Sequence, residues 1–399
     1  MRAHQHSPRL RDTRPVFHAL PPLSLYVHLP WCVRKCPYCD FNSHALKAEL
    51  EQTRYVDALL ADLEHELPRI WGRTIETIFI GGGTPSLFDS ESIERLLAGI
   101  HARTRVAPGA EITLEANPGA ADAERFTGYV AAGVNRLSLG VQSFDDSLLA
   151  RIGRIHDGDA AREAVCNALA SGASKVNADL MFALPGQSVE QSALDVSEAL
   201  ALGVRHVSFY QLTLEPNTAF HRNPPMLPRE DDCVDMQQQG IDQLARSGIV
   251  RYEVSAFAAA AEQSRHNLNY WRFGDYLGIG AGAHGKLTMA NEQVVMRSVK
   301  QRQPTQFMRF AGTAEGDLSR REVPSVDLPF EFMLNALRLV DGFPPALFSQ
   351  STGLELDVVK PIVERCQRDG LLEVSDELIR PSALGQRFLD DLTERFVPD

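Results

Sequence analysis

Up to about residue 250 the chain alternates between two hydrophobic patterns. Short apolar runs open each unit: LSLYVHL from Leu23, ETIFIGG from Glu76, EITLEAN from Glu111, RLSLGVQ from Arg136, SKVNADLMF from Ser174 and RHVSFYQLT from Arg205. Val, Ile, Leu and Phe crowd these runs, as expected for parallel strands covered on both faces. Between the runs apolar residues return every three or four positions, as in YVDALLADLEHEL from Tyr55, SIERLLAGIHART from Ser92 and AAREAVCNALASG from Ala160. That spacing predicts amphipathic helices. Strands and helices in alternation predict a parallel sheet, either open and doubly wound or part of a barrel.

After residue 250 the rhythm stops. A glycine-rich stretch, GDYLGIGAGAHGK from Gly274, leads into a charged segment that reads as irregular to about residue 325. A compact pattern follows. Helices are predicted around PFEFMLNALRL from Pro329 and ELDVVKPIVERCQRDG from Glu355, then a hairpin in LLEVSDELIRPS from Leu371 and a last helix to Phe396. The expected organisation is a flexible arm over 1–22, a barrel over 23–250, a connecting region over 251–325 and a winged-helix-like α+β module over 326–399. The last segment is not basic, so it reads as a packing module without nucleic acid.

Composition narrows the function. The 399 residues carry a formal net charge of −12, which argues against nucleic acid and anionic lipid as partners. No apolar run reaches the roughly 18 residues of a membrane span. The Arg-rich start, MRAHQHSPRLRDTRPVF, has no apolar centre and does not read as a secretory signal. A cytoplasmic protein without a stable membrane anchor is expected.

Three of the six cysteines, Cys32, Cys36 and Cys39, fall in Y-V-H-L-P-W-C-V-R-K-C-P-Y-C-D-F-N from Tyr26. Clustering of this kind reads as a metal site in a reducing compartment rather than a disulfide framework. Three thiolates on one loop suit three irons of a cubane and leave the fourth iron open. The alternative is zinc, with His28 or His44 completing a Cys3His set.

The spacing C-x3-C-x2-C resembles the signature of radical S-adenosylmethionine (SAM) proteins. In detail, the loop resembles oxygen-independent coproporphyrinogen oxidases and, more closely, their relatives the HemW-type haem chaperones. The resemblance runs from about Leu23 to the C-terminus. It implies an incomplete parallel (β/α) radical SAM barrel, with Cys32, Cys36 and Cys39 ligating a [4Fe–4S] cluster and SAM chelating the open iron. Chemistry in such barrels sits at the C-terminal ends of strands. There the resemblance assigns Gly82, Gly83 and Thr84 to the SAM amino group, with Tyr26 and Tyr38 beside the cluster. It carries the remaining SAM contacts onto Glu115, Gln142, Arg154 and Asp179, with a weaker match at Gln211.

Two features separate the branches of the family. The oxidases carry a further cysteine two residues after the third ligand, where this chain has Phe41, and a longer N-terminal extension than the 25 residues that precede Tyr26 here. The chaperone branch is marked by H-N-x-x-Y-W, present as His266-Asn267-Leu268-Asn269-Tyr270-Trp271. Histidine is a common haem ligand and aromatic faces suit a macrocycle, so His266 is the first candidate to hold haem and His284, in GIGAGAHG, the second. The resemblance implies a chaperone that binds the cluster, SAM and, as cargo, haem, and delivers haem to respiratory haem proteins. A SAM-dependent coproporphyrinogen III oxidase is the alternative, and enzyme activity and homodimer formation stay open.

Overall fold

The computed structural model describes residues 14–119 and 123–398. Most of the expected arm over 1–22 lies outside the described residues.

Six strands follow the predicted runs: β1 Leu23–Leu29, β2 Thr74–Gly82, β3 Arg105–Ala116, β4 Arg136–Gln142, β5 Lys175–Phe182 and β6 His206–Gln211. They pair in parallel and in chain order, β1 to β6. Helices Gln52–Glu66, Ser90–Arg103, Gly158–Ala170 and Val189–Ala201 lie among the crossovers. Several start where the sequence supplies a cap. Asp89 accepts from the Ser92 amide, and Ser188 forms a reciprocal box with Gln191. Isoleucines, leucines and valines of the strands and helices bury one continuous core.

The sheet does not end at residue 250. Short strands β7 Val250–Glu253 and β8 Ala256–Ala258 continue it antiparallel beyond β6. On the other side β9 Asp275–Ile279 runs parallel to β1, and β10 His284–Met289, β11 Val294–Lys300 and β12 Asp317–Glu322 add antiparallel strands. The result is one sheet of twelve strands, ordered β12-β11-β10-β9-β1-β2-β3-β4-β5-β6-β8-β7. Its two ends do not pair with each other, so the barrel is incomplete.

The charged segment expected to be irregular up to about residue 325 therefore contributes β11 and β12 to the sheet. Two lysines of the antiparallel strands are buried and paired with carboxylates. Lys286 Nζ meets Asp275 at 3.0 Å. Lys300 Nζ meets Asp62 at 2.7 Å, Glu66 at 2.7 Å and Asp317 at 2.9 Å.

The C-terminal module consists of helices Leu328–Ala336, Pro345–Thr352 and Lys360–Arg368, a hairpin of Leu372–Val374 with Ile379–Pro381, and two short helices. The helices around Pro329 and Glu355 and the hairpin fall where the sequence placed them, and Pro345–Thr352 adds a helix that it did not. The module has its own core around Phe332, Phe343 and Phe348. That core also takes in Phe273 and Val295 from the barrel side, which ties the two parts together.

Candidate functional site

The cysteine loop leaves the end of β1 and is pinned at its start by the backbone at the end of β2. Gly83 N donates to Leu29 O at 2.8 Å and Thr84 N to Trp31 O at 2.7 Å. A side chain would not fit there: a Cβ on Gly83 would lie 2.5 Å from Trp31 O, and one on Gly82 2.4 Å from the His28 ring. Gly82 also adopts φ 116°, open to glycine at little cost.

Cys32, Cys36 and Cys39 are free thiols, partly exposed, and line one cavity. Tyr38, Gly82, Gly83, Thr84, Glu115, Gln142, Arg154 and Asp179 line the same cavity. These residues thus come from four strands, β2 to β5, and from the loops that flank them. Tyr26 lines the adjoining cavity instead. Gln211 is exposed and lines neither.

Arg154 organises the floor. Its Nη2 donates to Asn117 Oδ1 at 2.7 Å and to the Gly140 carbonyl, and its Nη1 lies 3.7 Å from Cys36 Sγ. Asn117 Nδ2 in turn donates to Thr84 Oγ1 at 2.8 Å. Asn117, His156 and Tyr210 are cavity residues absent from the sequence-based set. Asn117 stood two residues after Glu115 and was within reach of strand periodicity. His156 and Tyr210 arrive through tertiary packing.

Gln142 is held with φ 70°, an unusual backbone for a residue with a side chain. Its Oε1 accepts from the Tyr210 hydroxyl at 2.8 Å. Burial pushes the Glu115 carboxyl up to about 7, against the Gly82 amide that donates to it at 2.9 Å. The same cause raises Asp179 and lowers His156 to about 4.

Two buried polar atoms here have no hydrogen-bond partner among the described residues: Arg154 Nε and His156 Nδ1. Buried donors and acceptors are rarely left unpaired. The residues present therefore fit a polar ligand beside the thiols. No three His, Cys, Asp or Glu side chains of the described residues converge as the donors of a single ion would. His28 is committed elsewhere: Nε2 donates to Asn42 O at 2.9 Å, and Nδ1 accepts from the Tyr26 hydroxyl at 3.0 Å.

A second cavity of about 660 Å³ adjoins the first. Phe41, Ser43, Gly82 and Glu115 line both. Tyr270, Trp271 and Tyr276 form its aromatic side, and Asn335 reaches it from the C-terminal module. His266, the first candidate for haem, does not line it. Its side chain is fully buried, with Nδ1 2.7 Å from Thr77 Oγ1 and Nε2 3.0 Å from the Tyr270 hydroxyl. Burial lowers it to about 3, so the ring is neutral and both nitrogens are occupied.

The Radical SAM superfamily pattern matches residues 26–195 and the HemN C-terminal domain pattern residues 323–388. A relative named "Heme chaperone HemW" from Escherichia coli K12 is 47% identical over 95% of this chain and 99% of its own. One of the same name from Bacillus subtilis is 33% identical over 89% of this chain and 94% of its own. The chain belongs to the HemW family. Among solved structures, the coproporphyrinogen III oxidase HemN of Escherichia coli superposes with a TM-score of 0.79. It covers 94% of this chain and 90% of its own at 22% identity, a likeness of fold. For this HemW-family chain the radical SAM match spans both the thiol loop and the strand ends that face it. The family implies a [4Fe–4S] cluster and SAM. No helix of the described residues is long and apolar enough to cross a membrane.

Proposed function

We propose that this protein is a haem chaperone of the HemW type. Cys32, Cys36 and Cys39 would hold the [4Fe–4S] cluster. The SAM site comprises Tyr38, Gly82, Gly83, Thr84, Glu115, Gln142, Arg154 and Asp179, with Asn117 and His156 added, and Tyr26 completes it from the adjoining cavity, whose wall shares Gly82 and Glu115. When bound, the cluster supplies one-electron chemistry at its open iron. Around it, Glu115 presents an acceptor to an ammonium, and Arg154 presents its unpartnered Nε–H to a carboxylate. Haem occupies the larger cavity and passes to haem-dependent respiratory proteins. The protein works in the cytoplasm.

The observation that carries this reading is the adjoining pair of cavities. The larger lies within the range of about 300–1,000 Å³ usual for organic ligands. It combines aromatic walls with Lys35, Arg297 and Arg302, suited to a flat apolar ring bearing carboxylates. Phe41 stands where the oxidases have their extra cysteine, which weighs against the oxidase.

The test is anaerobic reconstitution followed by haem titration and transfer to a haem-depleted respiratory protein. Saturable haem binding and transfer, with no conversion of coproporphyrinogen in the presence of SAM and reductant, is expected. Conversion of coproporphyrinogen would replace the chaperone by the oxidase. Cys36→Ala should reduce bound iron and sulfide to background while leaving the circular dichroism spectrum unchanged; retained iron would remove Cys36 from the ligand set.

A further inference from the structure

Resting on the haem-chaperone reading, we propose that haem lies in the larger cavity with its iron toward His284 and its propionates toward Arg302 and Lys35. His266 is then a positioning residue, acting through Tyr270.

His284 opens β10 and is exposed on the cavity wall. Its backbone is fixed by a close approach: a Cβ on Gly278 would lie 2.0 Å from His284 O. Among the described residues its ring has no hydrogen-bond partner. Partial burial and the nearby Arg302 and Arg297 lower its pKa, which keeps a nitrogen lone pair free. An axial ligand needs that lone pair. His266 offers neither an open nitrogen nor a face on the cavity.

The cations of the wall divide into two groups. Lys286 is paired with Asp275, and Arg297 with Glu331 at 2.8 Å. Lys35 and Arg302 have no carboxylate partner among the described residues. Lys35 Nζ donates only to carbonyls, Phe41 O at 2.9 Å and Ser43 O at 3.4 Å. Arg302 O accepts from Asn42 Nδ2 at 2.9 Å, and His44 Nε2 lies 3.2 Å from it, which anchors its backbone to the cysteine loop. Both are exposed and stand at the same rim as His44. Asp40 is the one acidic residue in that part of the wall, and Glu115 lies buried at the boundary with the thiol cavity. Two unpaired cations against one carboxylate leave the rim suited to a dicarboxylate.

Tyr270 carries the remaining role. Its ring lines the cavity and meets Tyr276 edge-on at 4.7 Å, while its hydroxyl is held by His266. His266 thereby sets the wall against which a macrocycle would lie.

The experiment uses the cluster-reconstituted full chain and ferric haem, followed by absorbance and electron paramagnetic resonance. His284→Ala should abolish the histidine-ligated spectrum and weaken binding tenfold or more, and added imidazole should restore the spectrum. His266→Gln should weaken binding while leaving the spectrum histidine-ligated. Charge reversal, Lys35→Glu with Arg302→Glu, should weaken haem binding tenfold or more yet leave haem dimethyl ester, which lacks the carboxylates, bound as in the wild type. An unchanged spectrum in His284→Ala, or its loss in a folded His266→Gln, overturns the iron assignment. Equal losses for haem and its ester overturn the propionate assignment. A wild type that binds no haem overturns the chaperone reading itself, and this inference with it.

Discussion

Arg338 of the C-terminal module lies over the indole of Trp271, with its guanidinium carbon 4.2 Å from the ring centroid. Its Nη2 also meets Glu253 at 3.0 Å, a carboxylate only 4% exposed. The tryptophan of the H-N-x-x-Y-W motif is thus a seam as much as a cavity wall. It couples the module to the barrel beside the larger cavity.

Arg338→Ala should therefore destabilise the chain. It removes a cation–π contact worth about 0.5–2 kcal/mol. It also takes the cationic partner from a buried carboxylate that keeps the Ser255 amide, so a total loss of about 2 kcal/mol or more is expected. Thermal unfolding reads the loss, and hydrogen exchange should show the module opening first. A variant as stable as the wild type would mean that the seam is held elsewhere.

Lys300 anchors the antiparallel strands to the first helix through Asp62, Glu66 and Asp317. Lys300→Met matches its length without its charge and leaves three carboxylates facing one another, with Arg320 beside Glu66 and Asp317. Breaking a buried pair on one side costs about 3–5 kcal/mol. Denaturant unfolding should show a loss of that order. A small loss would mean that water reaches the cluster.

SAM binding should depend on pH through Glu115. The free protein holds this carboxyl with a pKa of about 7 because it is buried. The ammonium of SAM favours the ionised form, so below this value binding must first release a proton. The sign follows from linkage: affinity rises with pH up to about 7 and then levels, by at most about tenfold per unit. Equilibrium dialysis across that interval measures it. Glu115→Gln should flatten the profile and weaken binding throughout; a flat wild-type profile would remove Glu115 from contact with the ammonium.

The strand–helix rhythm of the barrel was legible because its strands are apolar on both faces. β1 and β4 coincide with the runs LSLYVHL and RLSLGVQ, and the strand-end residues came with them. The antiparallel strands were not legible. Lys286 and Lys300 give them a charged pattern, and only tertiary pairing with Asp275 and Asp62 makes these lysines core. The direction of His266 was not legible for a related reason. A sequence motif names a residue without saying which way it faces, and this one faces Thr77 and Tyr270.

The strained Gln142 depends on a carboxylate outside the cavity. Asp195, 3% exposed, accepts from Ser143 Oγ at 2.8 and 2.9 Å and from Phe144 N at 2.7 Å. Ser143 and Phe144 follow Gln142 directly, so Asp195 fixes the turn in which Gln142 takes its φ of 70°. Asp195→Ala leaves a buried hydroxyl and a buried amide without an acceptor, at about 1–3 kcal/mol each. The turn should then relax toward an ordinary backbone and withdraw the Gln142 side chain from Tyr210. Two readouts should move together: the unfolding midpoint falls, and SAM affinity falls in protein that is still folded. A loss of stability with unchanged SAM affinity would leave Asp195 structural and would separate Gln142 from the SAM site.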